Sequence, residues 1–175
     1  MLSLFPRAFL LVLISLCVAA PTALAASTGG VSPADLEPAG SVAKLDRNGI
    51  AHPPANAPLR VKRAIWAGNR LQDKPYIYGG GHASFNSRGY DCSGTVSYVL
   101  NAAGLLRSPL ASGDLARWGS RGRGKWITVY AHGGHAYVRL AGLRLDTSGS
   151  GGRGPRWRTE QRSPSGFAVR HPRGL

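Results

Sequence analysis

The chain has 175 residues, with 22 Lys plus Arg against 8 Asp plus Glu, a formal net charge of +14, 24 glycines and 2 cysteines. That length admits one modest domain with flanking segments, and two cysteines exclude a disulfide-built scaffold. The charge favours anionic partners: nucleic acid, acidic lipid headgroups or carboxylate-bearing wall polymers.

Residues 1–25 carry the single charge of Arg7, an apolar run from Ala8 to Ala20, the helix breaker Pro21, and Ala23-Leu24-Ala25 ahead of Ala26. This is the layout of a secretory signal peptide cleaved after Ala25, and the apolar run is shorter than the roughly 20 residues a bilayer span needs. The expected mature chain is therefore secreted or periplasmic, with no stable membrane span. Leu16 is too bulky before Cys17 for a lipid-modified N-terminus. Export, and the lack of a helix-turn-helix, zinc-finger or aromatic RNA-binding signature, set nucleic acid aside as a partner. An anionic envelope polymer remains.

Residues 26–58 are rich in Ala, Pro, Gly and Ser, with Pro33, Pro38, Pro53, Pro54 and Pro58. Such a stretch offers little apolar surface to offset its ordering entropy, so the composition predicts a flexible linker in which His52 is solvated. The domain is expected over 59–175. Val61, Ile65, Gly68 and Leu71 recur at helical spacing and predict an amphipathic helix ending before Pro75.

The run from Lys74 to Leu106 organises the rest. Glycines at 79, 80, 81 and 89 permit tight turns, and from Ser93 onward Val96, Val99, Leu100 and Ala103 line one side of a helix. Asp91 is read as its N-cap and Gly104 as its C-cap. Cys92 then sits in the first helical turn, where free amides and the helix dipole stabilise a thiolate. Loss of the leader removes Cys17 and leaves Cys92 as an odd cysteine outside the cytoplasm, which is either paired with another chain or kept for reactivity.

Ser108 to Gly124 reads as loop, with a turn of helix around Leu115–Trp118. Trp126–Tyr130, Ala136–Leu140 and Leu143–Thr147 then alternate as short strands joined by tight turns, an antiparallel meander. The arginine-rich stretch 151–175 extends the domain, with Phe167–Arg170 as a final strand. Helices followed by strands give an α+β order.

A thiolate that attacks an amide needs a base, a group to orient the base, and oxyanion donors. Of five histidines, His135 opens a strand and is the leading base. His132 falls in the turn before it, His82 in the glycine loop, and His171 in the basic tail. Asp146 lies across the Ala141-Gly142 turn, placed either to hold the His135 ring or to accept from the backbone of the turn that follows. Asp91 is too close to the thiol to help, since a bare carboxylate there raises the thiol pKa. The Cys92 amide is one oxyanion donor, and Tyr76 and Tyr78 are candidates for the second. No H-x-x-x-H, C-x-x-C, G-x-x-x-x-G-K or G-x-S-x-G pattern is present, so no metal and no cofactor is expected.

Tyr76-Ile-Tyr78-Gly79-Gly80, then Asp91-Cys92-Ser93-Gly94 heading a helix, then Gly134-His135 opening a strand, resembles the NlpC/P60 cell-wall cysteine peptidases over about Arg60 to Gly149. The resemblance implies a papain-like α+β fold, with N-terminal helices on an antiparallel sheet, that hydrolyses peptide bonds of peptidoglycan stem peptides. By position, Cys92 matches the nucleophile, His135 the base, and Tyr76 the tyrosine associated with substrate and oxyanion contacts. Asp146 falls where the family most often has a histidine. The loop 81–90 is longer than usual, and the arginine-rich end matches no family feature. A thiol amidase or acyl transferase of the same fold, and a non-catalytic basic envelope-binding protein, are the alternative readings.

Overall fold

The computed structural model describes residues 37–149, 151 and 153–175. The expected signal peptide and residues 26–36 of the expected linker lie outside them. The elements are β1 (Lys44–Leu45), β2 (Ala51–His52), α1 (Leu59–Asn69), α2 (Cys92–Ala102), α3 (Ser112–Leu115), β3 (Ser120–Arg121), β4 (Ile127–His132), β5 (His135–Leu140), β6 (Leu143–Asp146), β7 (Arg156–Arg158) and β8 (Ala168–His171). An antiparallel sheet of six strands runs β3-β8-β4-β5-β6-β7, and β1-β2 forms a separate hairpin.

Alternation along the strands directs Ile127, Val129, Ala131, Ala136, Val138, Leu140, Leu143 and Leu145 to one buried face. Against it pack Val61, Ala64 and Ile65 of α1 and Val96, Val99 and Leu100 of α2, all essentially inaccessible to solvent. Each such valine, leucine or isoleucine contributes about 1.5–3 kcal/mol of burial. Helices first and an antiparallel sheet after is the α+β arrangement expected.

The central meander follows the expected strands. The β4–β5 pair closes through Gly133-Gly134 with His132 opposite His135, and β5–β6 closes through Ala141 (φ 45°) and Gly142 (φ 92°) with Leu140 opposite Leu143. Two successive positive φ angles match the twist of a tight hairpin. Two strands of the six-stranded sheet, β3 and β7, have no counterpart in the sequence reading, nor has the β1–β2 hairpin. Phe167–Arg170 does contribute a strand, but β8 inserts between β3 and β4 rather than extending the meander.

Over residues 37–58 the linker expectation is corrected. This stretch folds onto the domain through short hydrogen-bonded turns and small side chains rather than a large apolar face. Asp46 Oδ1 accepts from Asn48 N (2.8 Å) and Ile50 N (2.9 Å), shaping the β1–β2 turn. His52 is half-buried, with Nε2 3.0 Å from Asp46 Oδ2. Ala43, Ala51 and Ala57 join the core. Asn69, the last residue of α1, donates to Ala51 O and accepts from Ala51 N, both at 2.9 Å, and its Oδ1 also accepts from Trp157 Nε1 at 2.9 Å. One amide therefore ties β2 and β7 to the same helix end. At Gly68 a Cβ would run into the Trp157 ring, so β7 is seated where α1 lacks a side chain.

Candidate active site

The start of α2 is locally determined. Asp91 is the N-cap (φ −87°, ψ −171°) and accepts from Gly94 N at 2.8 Å, while Thr95 Oγ1 donates to the Asp91 carbonyl at 2.7 Å. The glycine loop then packs directly on this first turn. A Cβ on Gly94 would strike the Gly80 carbonyl, and Gly81 (φ 86°) lies against Gly94 and Tyr90. Only glycine at 94 allows that approach. Gly79 N donates to Asp91 Oδ2 at 3.0 Å, so the cap carboxylate also holds the loop.

Cys92 is the first residue of α2 and is half-buried. Its amide is among the first-turn donors with no acceptor inside the helix. The His135 ring and the backbone N–H of Ala136 lie close enough to the thiol to stabilise its ionised form. Burial alone would push the thiol pKa up, but these two neighbours and the His135 charge outweigh it, and the thiol titrates below its ordinary range; Asp91 opposes this as the smallest influence.

His135 Nε2 lies 2.9 Å from Asp146 Oδ1, which leaves Nδ1 for the sulfur. Continuing the β5–β6 register from Val138↔Leu145 puts Asp146 opposite Tyr137, one diagonal step from His135 on the same face. The bond to Asp146 and then the neighbouring Cys92 raise the imidazole to about 9 against the opposing effect of burial. Asp146 has a fully buried side chain. Burial would raise its pKa, yet the His135 bond and the donors Ser148 N (2.9 Å) and Ser148 Oγ (2.8 Å) bring it down to about 2. The two roles considered for Asp146 are thus filled together: it orients the histidine and accepts from the following turn.

Cys92 opens onto a cleft of about 250 Å³ whose other walls include Tyr76, Tyr78, His82, Ser112 and Gly133. Tyr76 is 39% exposed, and desolvation followed by the nearby Cys92 charge keeps its phenol protonated above the usual tyrosine range. A protonated phenol there is a donor facing the cleft. Tyr78 is 91% exposed at the rim. A larger cavity of about 460 Å³, between Arg70, Lys74, Phe85 and Tyr98, has neither a cysteine nor a histidine in its walls. Chemistry, not size, therefore selects the smaller cleft.

The other histidines separate. His82 lines the cleft, with Nε2 2.9 Å from both Asp91 Oδ2 and Ser93 Oγ, so it braces the helix cap rather than facing empty solvent. His132 Nδ1 accepts from Gly134 N at 3.0 Å and the ring packs on Phe167. His171 Nδ1 lies 3.1 Å from Gly122 O, away from the cleft. Among the described residues no group of three or more His, Cys, Asp or Glu could hold a metal ion. The sequence reading allowed for the turn amide of Ser148 but missed its hydroxyl, which donates to Asp146 Oδ2. It also missed Arg162, whose Nη1 donates to Ser148 Oγ (2.8 Å) and reaches Asp146 Oδ2 (3.4 Å). No local signal marks that residue.

No family model and no curated protein matches the chain. Among solved structures it is similar to the peptidoglycan hydrolase RipB from Mycobacterium tuberculosis, with 28% identity, a TM-score of 0.51, and coverage of 68% of this chain and 67% of that one. RipD from the same organism, a non-catalytic NlpC/p60 domain protein adapted to peptidoglycan binding, matches at 19% identity and TM-score 0.49, over 66% of this chain and 98% of its own. The resuscitation promoting factor interacting protein RipA matches at 23% identity and TM-score 0.47, over 65% and 62%.

Proposed function

We propose that this chain, which has the NlpC/P60 fold, is an exported cysteine peptidase that hydrolyses peptide bonds in peptidoglycan stem peptides through Cys92, His135 and Asp146. The observation that carries this reading is Cys92 at the wall of an open cleft, with the His135 ring beside its thiol and the ring's Nε2 2.9 Å from the buried Asp146 carboxylate. The likeness to RipB supports the cell-wall substrate. The net charge of +14 suits a carboxylate-bearing polymer, and the N-terminal leader pattern supports export.

In this mechanism the Cys92 thiolate attacks the scissile carbonyl carbon, and the oxyanion receives the Cys92 N–H, with Tyr76 as second donor. Imidazolium His135 transfers its proton to the leaving amine as the C–N bond breaks, leaving a thioester. Neutral His135 then takes a proton from water as the water attacks the thioester. The acid is released and the thiolate with its imidazolium returns. Asp146 keeps the ring aimed throughout without itself gaining the proton. No step calls for a metal.

Digestion of purified peptidoglycan, with fragments weighed by mass spectrometry, tests the reading. Wild type is expected to release fragments with new amino and carboxyl ends, and Cys92→Ala to release none while melting at the wild-type temperature. Cleavage by Cys92→Ala at the wild-type rate defeats the assignment. Stem peptides joined to an added amine instead of water would mark a transferase, and salt-sensitive wall binding with no cleavage would mark a binder.

A further inference from the structure

The segment between β7 and β8 belongs to the arginine-rich end that matched no recognised feature, yet it returns to the site. Arg162 lies across Phe167 and Tyr137, with its guanidinium carbon 5.1 Å and 5.6 Å from their ring centroids. Tyr137 and Phe167 meet edge-on at 5.2 Å, and Phe167 also stands 6.3 Å from the His135 ring. The stack holds the guanidinium against the back of the buried carboxylate: Nη1 donates to Ser148 Oγ at 2.8 Å and lies 3.4 Å from Asp146 Oδ2. Ser148 Oγ in turn donates to that same Oδ2 at 2.8 Å.

The two oxygens of Asp146 therefore have different neighbours. Oδ1 meets His135 and accepts from the Ser148 N–H, while Oδ2 accepts from Ser148 Oγ and faces Arg162. The Ser148 hydroxyl that holds Oδ2 itself accepts from Arg162, so the guanidinium backs both the anchor and the oxygen it anchors. A fully buried carboxylate also needs positive charge and donors around it, and Arg144, the other cation in reach, has its Nε at 3.6 Å from Oδ2 without a hydrogen-bond partner. Arg162 is the better-bonded of the two.

We propose that Arg162 is a positioning residue for the hydrolytic site: it anchors the far oxygen of Asp146, so that the near oxygen holds His135 towards the Cys92 sulfur, and it sets the charge that His135 feels. The inference rests on the peptidase reading above. The titratable groups against the His135 ring are Asp146, Cys92 from α2, His132 from β4 and Tyr137 from β5; Asp91, the cap of α2, acts on Cys92, and Arg144 from β6 and Arg162 act on Asp146. Arg162 is the one of them that comes from the segment between β7 and β8.

Charge and anchoring are separable by substitution. Arg162→Gln removes a cation one carboxylate away from the imidazolium. It should move the alkaline limb of kcat/KM to higher pH by about half a unit or more and lower kcat about tenfold with KM little changed. Arg162→Lys keeps the charge but loses the planar fork and the ring stacking. It should leave the limb in place and still lower kcat.

The decisive measurement needs no substrate. His135 is titrated by NMR in the Cys92→Ala chain and in the Cys92→Ala, Arg162→Gln chain. An upward shift in the second supports the inference even if wild type proves to cleave no wall peptide. The same titration in both, with only a lower melting temperature, would reduce Arg162 to a staple for its own segment and overturn the proposal. Should Arg162→Gln fail to fold, Arg162→Lys with wild-type kcat would overturn it as well.

Discussion

The sulfur side of the site and the imidazole side reach one cleft by different routes. Tyr76, His82, Asp91, Cys92 and Gly94 come from a single run of chain, with the glycine loop packed on the helix turn that follows it. His135, Asp146, Ser148 and Arg162 come from β5, the end of β6, the turn after it and the segment before β8. The first side is a local device that depends on backbone contact. The second is an assembly across the sheet that depends on charge. Damage to one should therefore appear as instability, and damage to the other as a changed pH response.

The largest expected effect is on the charged side. Asp146→Asn keeps the shape but removes the acceptor that favours imidazolium, and should lower kcat/KM by about 10²–10⁴-fold. Its His135 should titrate well below the wild-type value of about 9, back towards 6.5. The sign carries into stability. Wild-type His135 has a raised folded pKa, so its contribution is full below about 6.5 and is lost as pH rises through about 9. Asp146 has a depressed one, so its contribution is present above 3.8 and is lost as pH falls through about 2. Thermal melts of wild type should decline across the alkaline window, and those of Asp146→Asn should be nearly flat there. An equal decline in both would show that the pair does not govern the histidine.

A smaller effect is expected at Tyr76, where the two sides meet. Tyr76→Phe removes the phenol donor and leaves the ring, so kcat should fall about 10–100-fold with KM little changed. A change confined to KM would make Tyr76 a substrate contact instead. Smallest in activity, but sharp in stability, is Gly94→Ala. Its Cβ would meet the Gly80 carbonyl, and the substitution should cost about 1–3 kcal/mol or more, whereas Gly113→Ala in α3 meets nothing within 4 Å and should be neutral or slightly stabilising. Urea titrations that fail to separate the two would show that the loop does not need to touch the helix.

The local side was the more legible one. The N-cap role of Asp91, the helix from Cys92, and the strands on either side of Gly133-Gly134 and Ala141-Gly142 all follow from patterns spanning a few residues. His135 and Asp146 were reachable because one hairpin turn brings them close. What the sequence hid depends on distant partners. The strands β3 and β7, each three residues or fewer, exist through pairing with β8 and β6, and β8 takes its place beside β4 without any signal in its own residues. The hairpin of β1 and β2 was hidden because it is held by distant partners, the Asn69 side chain on Ala51 and the Ala141 carbonyl on Ala43 N, and by small alanines in the core. Arg162 shows the same limit at the site: a cation among many arginines gains its meaning only from the carboxylate it meets.

A thiol whose pKa is lowered ionises more readily and is to that extent open to oxidants. Among the described residues Cys92 has no second thiol to capture a sulfenic acid as a disulfide, and further peroxide carries it to sulfinic acid, which thiols do not reverse. Hydrogen peroxide should therefore inactivate the protein with the same pH dependence as iodoacetamide, and a mismatch between the two profiles would show that the ionised sulfur is not the common target. The contacts that lower the Cys92 thiol pKa thus also set how quickly an oxidant inactivates the protein.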